Sequence, residues 1–250
     1  RRGRRARDRA WGAALRKVIR EESVRTVWQP VVELDSGAYH GFEAFARGPK
    51  DSMFEMPRAM FALSGRVGAS GDLDRLCRRA AFRDEVGGGR KIFVNVLPST
   101  LAGPEWGLGV VPELLAAAGR TPADVVVEVS ERAVSAEAPE LPDAWDALRA
   151  QGFALALDDV GTGRDGGEAV LRLRPDYLKV DASVVRGIDG NLVKQEIFST
   201  IAMAAVSVGA RLAAVGVESA EEAATVRRLG ARFAQGYHFA SPAPRERWAP

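Results

Sequence analysis

The chain has a single cysteine, Cys77, in 250 residues, which excludes a disulfide framework and a thiolate metal cluster. Cys77 stands in the helical pattern Leu73-Asp74-Arg75-Leu76-Cys77-Arg78-Arg79-Ala80-Ala81, where a small core residue is expected. That usage suits a reducing cytoplasm. No run of about 18 apolar residues occurs, so no membrane-spanning helix is expected in this segment. No signal peptide is visible either. Charge of one sign is also missing. With 35 basic against 33 acidic residues the net charge is +2, which offers no global field for a nucleic-acid polymer. Only Arg1-Arg2-Gly3-Arg4-Arg5-Ala6-Arg7-Asp8-Arg9 is strongly basic. A solvated tail or the end of an upstream linker is expected there, in preference to a nucleic-acid or membrane arm. Because the chain opens on Arg, it is expected to be part of a longer protein. No internal repeat and no further low-complexity segment appear.

What is present is a 46% hydrophobic composition, enough for one large core. Apolar, β-branched strand candidates fall at residues 26–34, 40–47, 91–96, 124–129, 153–157, 177–180, 211–214 and 232–234. Asp35-Ser36-Gly37 turns the first into the second, which reads as a hairpin. Amphipathic helical stretches lie at 54–69, 72–85, 111–118, 139–151, 191–208 and 220–229. Alternation of this kind implies a parallel sheet, and eight strands in 250 residues imply a closed α/β barrel. An open doubly wound sheet is the alternative, but no Gly-x-Gly-x-x-Gly follows the first strand.

Nearly every strand candidate carries a polar or charged residue near its C-terminal end. These are Gln29, Glu43, Asn95, Glu128, Asp158 with Asp159, Lys179 with Asp181, and Gln235. In a barrel, strand ends converge on one face, where the loops build a site. Burying so many polar groups together is costly unless they bind something. One such residue is easily a cap or a snorkelling side chain; seven placements are not. The run Ala154-Leu155-Ala156-Leu157-Asp158-Asp159-Val160-Gly161-Thr162-Gly163 is the sharpest case, because adjacent carboxylates repel one another unless a cation or donors lie between them. Oxygen ligands from Glu43, Asn95, Glu128 and Asp158 suit Mg²⁺ or Mn²⁺ better than zinc. Adjacent aspartates also suit a pair of ions about 3.5–4 Å apart. Two chemistries follow: metal-assisted phosphodiester hydrolysis with Lys179 beside the water, or an enolase-like proton abstraction by Lys179. The second ordinarily needs a lid domain for which this chain has no room.

At these residues the sequence resembles the EAL domain family of bacterial cyclic di-GMP phosphodiesterases and receptors. The resemblance runs over residues 24–244. Gln29-Pro30-Val31-Val32 is similar to the family's first strand, and Glu43-Ala44-Phe45 stands at the Glu-Ala-Leu motif with Arg47 following. Asn95, Glu128-Val129-Ser130-Glu131, Asp158 to Gly163, Lys179-Val180-Asp181 and Gln235-Gly236-Tyr237 continue the family order. The resemblance implies a modified (β/α)8 TIM barrel with one antiparallel strand from an N-terminal hairpin. Residues 1–23 would be a basic helix or linker, and residues 24–250 the barrel domain. Glu43, Asn95, Glu128 and Asp158 would hold one Mg²⁺ or Mn²⁺, with Asp158 and Asp159 sharing in a second. Lys179 would contact the attacking water or the phosphate, and Arg47 would pair with a ligand phosphate. Gln29, Asp181 and Gln235 would support the ligand, and Glu131 would anchor the loop after Asp159. A homodimer and an upstream sensory or GGDEF-type domain are implied by analogy, with the whole in the cytoplasm.

The sequence also departs from the family. Val215-Gly216-Val217-Glu218 stands where the family has Glu-Gly-Val-Glu, so Val215 replaces the glutamate expected to ligate the second ion. Arg164-Asp165-Gly166-Gly167 replaces Tyr-Ser-Ser-Leu, Phe45 replaces the motif leucine, and Leu97 stands where a serine is frequent. Three functions remain open at this point: a cyclic di-GMP binding module with impaired or absent hydrolysis, a working phosphodiesterase giving linear pGpG, and a protein-interaction scaffold.

Overall fold

The computed structural model describes residues 2–84, 86, 88–107, 109–134, 141–163 and 166–248. Eight strands close into a barrel: β1 (Arg25–Glu33), β2 (Tyr39–Arg47), β3 (Lys91–Asn95), β4 (Val125–Ser130), β5 (Ala154–Val160), β6 (Tyr177–Val180), β7 (Arg211–Val215) and β8 (Phe233–Gln235). They neighbour one another in chain order. β1 runs antiparallel to both β2 and β8, and every other pair is parallel. The expected barrel with one antiparallel strand is therefore what the chain forms.

Side chains on a strand alternate between faces, so every second residue points into the barrel. One inward layer is Val31, Phe93, Val126, Ala156, Tyr177, Ala213 and Phe233, which pack together as a buried cluster. Two positions along each of these strands lie Gln29, Asn95, Glu128, Asp158, Lys179, Val215 and Gln235, and β2 contributes Glu43. The register binds this second layer laterally: Gln29 opposes Glu43, Asn95 opposes Glu128, and Val215 opposes Gln235. An apolar floor thus lies directly beneath a polar storey. Gly41, inward on β2, leaves no room for a side chain, since a Cβ there would come 2.5 Å from the Lys91 carbonyl oxygen. The outward residues of the strands, among them Val94, Val127, Leu155, Leu157, Leu178 and Ala214, pack under the surrounding helices as the main core. Each fully buried Val, Leu, Ile or Phe side chain there contributes about 1.5–3 kcal/mol.

Several boundaries differ from the sequence expectation. The stretch at 54–69 becomes helix α2 (Pro57–Val67), because Pro57 belongs at the first helical position, where its missing N–H costs nothing. Helix α3 (Ser70–Arg83) follows it; its expected end at Glu85 lies outside the described residues. β5 runs on through Asp158 and Asp159 to Val160. Gln29 reaches the mouth from the middle of β1, because that strand runs in the opposite direction to the others. The basic N-terminal segment lies in helix α1 (Arg2–Arg20), whose Leu15 and Val18 pack with Phe54, Met60, Leu63 and Leu73. The expected helix at 139–151 is described as Leu141–Ala150. Arg164 and Asp165 lie outside the described residues, and Gly166-Gly167 open the helix Gly166–Leu173. No helix of the described residues is long and apolar enough to cross a membrane.

Candidate functional site

The polar storey gathers four ionisable groups around one point. Lys179 Nζ lies 2.7 Å from Glu43 Oε2, 2.7 Å from Glu128 Oε1 and 3.8 Å from Asp158 Oδ2. Oxygens of Glu43, Glu128 and Asp158 all lie within 4.8 Å of one another. Glu43, Glu128 and Lys179 are buried, and Asp158 is half-buried at the opening. Asn95 donates Nδ2–H to Glu43 Oε1 at 2.8 Å, so both oxygens of Glu43 are engaged.

Burial and charge pull these groups in different directions. Burial pushes Glu128 well above the usual carboxylate range, and the neighbouring Glu43 charge adds to the effect. Burial likewise pushes Asp158 up to about 6, against the opposing pull of Lys179. For Glu43, burial is outweighed by the Lys179 ammonium, which holds its carboxyl below the normal range. The three acids in turn hold Lys179 well above its normal range despite its burial. Three carboxylates against one ammonium leave the cluster electron-rich. Among the described residues, Glu128 Oε2 has no hydrogen-bond partner, and its Oε1 meets only the ammonium. A buried carboxylate oxygen left unmatched is costly. A hard divalent cation fits this donor set, which is all oxygen.

Asp159 is turned by its backbone. It has φ +57°, a left-handed conformation uncommon outside glycine, at the point where the β5–β6 register shifts. The turn breaks the strand alternation, and Asp158 and Asp159 line one cavity with Glu43 and Asn95, of about 340 Å³. Two hydroxyls fix the turn: Ser130 Oγ donates to Asp159 Oδ2 at 2.7 Å, and Thr162 Oγ1 donates to the Asp159 carbonyl at 2.8 Å. Sequence reasoning missed Ser130; its place two residues past inward Glu128 was the available signal. Glu131 Oε2 accepts the amides of Gly161 at 3.0 Å and Gly163 at 3.3 Å, so it holds the loop that follows.

The remaining expected residues divide. Gln235 donates Nε2–H to Gln29 Oε1 at 3.1 Å, Gln29 donates to the Ala240 carbonyl at 2.8 Å, and Gln235 Oε1 is buried with no hydrogen-bond partner among the described residues. Arg47 is half-buried at the rim, donates to the Ala46 carbonyl at 2.9 Å, and lies 6.0 Å from the Phe45 ring centroid. Burial lowers its guanidinium, and nearby Arg25 adds to this. Asp181 stands apart from the carboxylate cluster. Its Oδ1 accepts the Ser183 amide at 2.9 Å and caps the short helix Ala182–Val185. Val215 closes β7 in register with Gln235 and brings no oxygen to the polar storey. Glu218, three residues on, is exposed and pairs with Arg186 at 2.9 Å.

A family model described as the EAL domain matches residues 12–242. Cyclic di-GMP phosphodiesterase NbdA of Pseudomonas aeruginosa is 29% identical over 238 residues, covering 92% of this chain and 30% of that protein. BlrP1 of Klebsiella pneumoniae, solved in complexes of cyclic di-GMP with calcium and with manganese, is 30% identical with a TM-score of 0.79; the match covers 88% of this chain and 56% of that one. The FimX EAL domain of Xanthomonas citri, solved in complex with cyclic di-GMP, superposes with a TM-score of 0.86 over 98% of this chain and 97% of that one. At 22% identity that is a likeness of fold. This chain spans 30% of NbdA and 56% of BlrP1, so it corresponds to part of each.

Proposed function

The chain belongs to the EAL domain family, and from that premise we propose that its barrel mouth binds cyclic di-GMP around one Mg²⁺ or Mn²⁺ and hydrolyses it weakly or not at all. The observation that carries this reading is Val215. It occupies the β7 place in the polar storey, in register with Gln235, and brings no oxygen to it. Valine has no lone pair, and Glu218 is turned to Arg186.

In this reading Glu43, Asn95, Glu128 and Asp158 hold the ion, with Asp159 as the remaining half of a second site. A bound divalent ion neutralises phosphate oxygens and, in paired sites, lowers the pKa of a water. The chain's own groups do the rest. Lys179 keeps the carboxylates together and presents an ammonium to the water or phosphate. Arg47 offers a planar fork to a phosphate. The unpartnered Gln235 Oε1 is an acceptor for an N–H on the guanine edge, with Gln29 holding the Gln235 amide in place and Asp181 supporting the adjacent turn. A homodimer, an upstream sensory or GGDEF-type domain and a cytoplasmic setting belong to the same reading.

A second reading is an active phosphodiesterase giving linear pGpG. It is favoured by the retention of Lys179, Asp158 and Asp159 together and by the name of the relative NbdA. Incubation of the purified chain with cyclic di-GMP and Mn²⁺, followed by chromatography and calorimetry, decides between them. Binding heat without product is expected, whereas rapid appearance of pGpG refutes the binding-only reading. Absence of heat leaves a protein-interaction scaffold. Removing even an outer-sphere partner costs roughly 10–100-fold at a metal site, so Val215→Glu should raise turnover by at least that factor.

A further inference from the structure

Among the described residues, the most deeply buried ion pair outside the mouth sits on α3. Asp74 and Arg78, one helical turn apart, are 2% and 3% exposed. Arg78 Nη1 pairs with Asp74 Oδ2 and donates to Thr100 Oγ1 at 3.0 Å, and its Nη2 meets Glu105 Oε1 at 2.8 Å. The guanidinium also lies over the Trp106 ring, 5.1 Å from the centroid. Burying a guanidinium with two carboxylates is a poor route to stability, since apolar side chains of the same volume do as well or better. What the cluster holds is more informative.

Asp74 Oδ1 accepts the Leu97 amide at 3.1 Å. The Thr100 hydroxyl has one proton, which goes to the charged Asp74 Oδ2 at 2.6 Å, and the Leu97 carbonyl lies 2.9 Å from the same hydroxyl. Leu97 is two residues past Asn95. Between them, Val96 donates its amide to the Glu128 carbonyl at 2.9 Å. The chain leaving β3 is therefore pinned from the β4 side at Val96 and from α3 at Leu97. Asn95, just before these pins, sets its amide on Glu43. The cavity lined by Glu43, Asn95, Asp158 and Asp159 reaches Cys77 and Arg78 as well, so the α3 cluster adjoins the mouth.

We infer that Asp74, Arg78 and Thr100 are positioning residues, which fix the exit of β3 and so set the Asn95 amide against the carboxylates that receive the ion. The inference rests on the metal-binding reading. Its test is a double-mutant cycle, read by calorimetric Mn²⁺ titration of the whole chain. Thr100→Val removes the hydroxyl at nearly constant shape and is expected to weaken Mn²⁺ about 10-fold, as does loss of an outer-sphere partner elsewhere. In an Asn95→Ala background the same change should have no further effect, because the group being positioned is gone. Leu148→Ala, a cavity in the helix Leu141–Ala150, supplies a comparison that lowers the melting temperature and leaves the Mn²⁺ affinity as it was. Exchange of the Leu97 amide, about 10-fold faster in Thr100→Val, reports the anchor without any metal. An unchanged exchange rate, a wild-type Mn²⁺ affinity in Thr100→Val, or an equal loss with and without Asn95 overturns the inference. If the wild-type chain takes up no Mn²⁺, the metal reading fails first and the inference with it. Asp74→Asn repeats the experiment from the other side of the hydrogen bond.

Discussion

Replacing Lys179 by methionine removes the one cation that the described residues place within the carboxylate cluster and keeps an unbranched side chain one heavy atom shorter. At an effective dielectric constant of about 20, an ammonium attracts a carboxylate by about 6 kcal/mol at 2.7 Å and about 4 kcal/mol at 3.8 Å. Those attractions offset the desolvation of four groups, so they do not add up to the stability at stake. What Lys179→Met leaves is a set of buried acids without a counter-charge, and breaking a buried pair in this way costs about 3–5 kcal/mol. Glu128 relieves part of that cost by taking a proton, since burial already pushes its carboxyl upward. The lower end of the range is therefore expected. For a chain of this size it corresponds to a melting temperature roughly 10 °C lower in EDTA.

The same variant makes a second measurement possible. A ligand that binds only the folded state stabilises it by RT ln(1 + [L]/Kd), about 2.7 kcal/mol at a hundred times Kd. With the internal ammonium gone, a divalent ion no longer competes with it for the oxygens of Glu43, Glu128 and Asp158. Mn²⁺ should then raise the melting temperature of Lys179→Met more than that of the wild type. Thermal unfolding of both proteins at pH 8, in EDTA and in millimolar Mn²⁺, gives the four values required. A variant as stable as wild type in EDTA would refute the ion-pair reasoning. An Mn²⁺ increment no larger in the variant would refute the assignment of these oxygens to an ion.

Two further expectations concern groups away from the ion. His40 lies at the opposite end of the barrel, stacked on Phe233 at 4.2 Å and hydrogen-bonded to Tyr177 Oη at 2.9 Å. Burial first, then Arg211, Lys91 and Arg232, lower its imidazole from 6.5 to about 4. The unfolded chain therefore binds the extra proton between those values, so stability is full above pH 6.5 and falls as the pH drops towards 4. Complete enclosure would make this about 3 kcal/mol, and solvent at the half-exposed ring screens it to roughly 1–2 kcal/mol. The raised carboxyls of Asp158 and Glu128 titrate in the same range with the opposite sign and are common to both proteins, so urea unfolding at pH 4.5 and 7.5 is compared between wild type and His40→Gln. Acidification should cost the wild type that much more stability than His40→Gln; equal pH dependence in both would exclude His40 as a source. Glu131→Ala strips the acceptor from the Gly161 and Gly163 amides, which should cost about 1–3 kcal/mol and speed exchange of both amides. Unaltered protection at those two glycines would show that the loop is held by something else.

The barrel and most of its mouth were legible because they follow from period-two alternation. An apolar residue at one inward position and a polar residue two further on recur in Phe93 and Asn95, Val126 and Glu128, Ala156 and Asp158, Tyr177 and Lys179, and Phe233 and Gln235. What the alternation does not carry is direction and local backbone. Gln29 enters the same storey from mid-strand because β1 is antiparallel, and Asp159 does so through a left-handed residue. Asp181 carries the same sequence signal as its neighbours, yet its carboxylate caps a helix turn. Contacts between distant segments are the other blind spot. The pairings of Asp74 with Leu97 and of Arg78 with Glu105 join α3 to the loop after β3, and nothing in the spacing of those residues announces them.

The same alternation is why Val215 weighs more in the structure than in the sequence. Read alone, Val-Gly-Val-Glu differs from the family pattern by one residue, and the glutamate three positions later is expected to belong to the following turn. The register agrees. Val215 is the inward residue of β7 two positions beyond Ala213, while Glu218 lies past the end of the strand, is exposed and pairs with Arg186. A carboxylate can rejoin the storey from β7 only at position 215 itself, since the adjacent Ala214 points into the helix layer. In the proposed reading the capacity for a second ion turns on this one side chain, and Val215→Glu is the substitution that tests whether hydrolysis turns on it too.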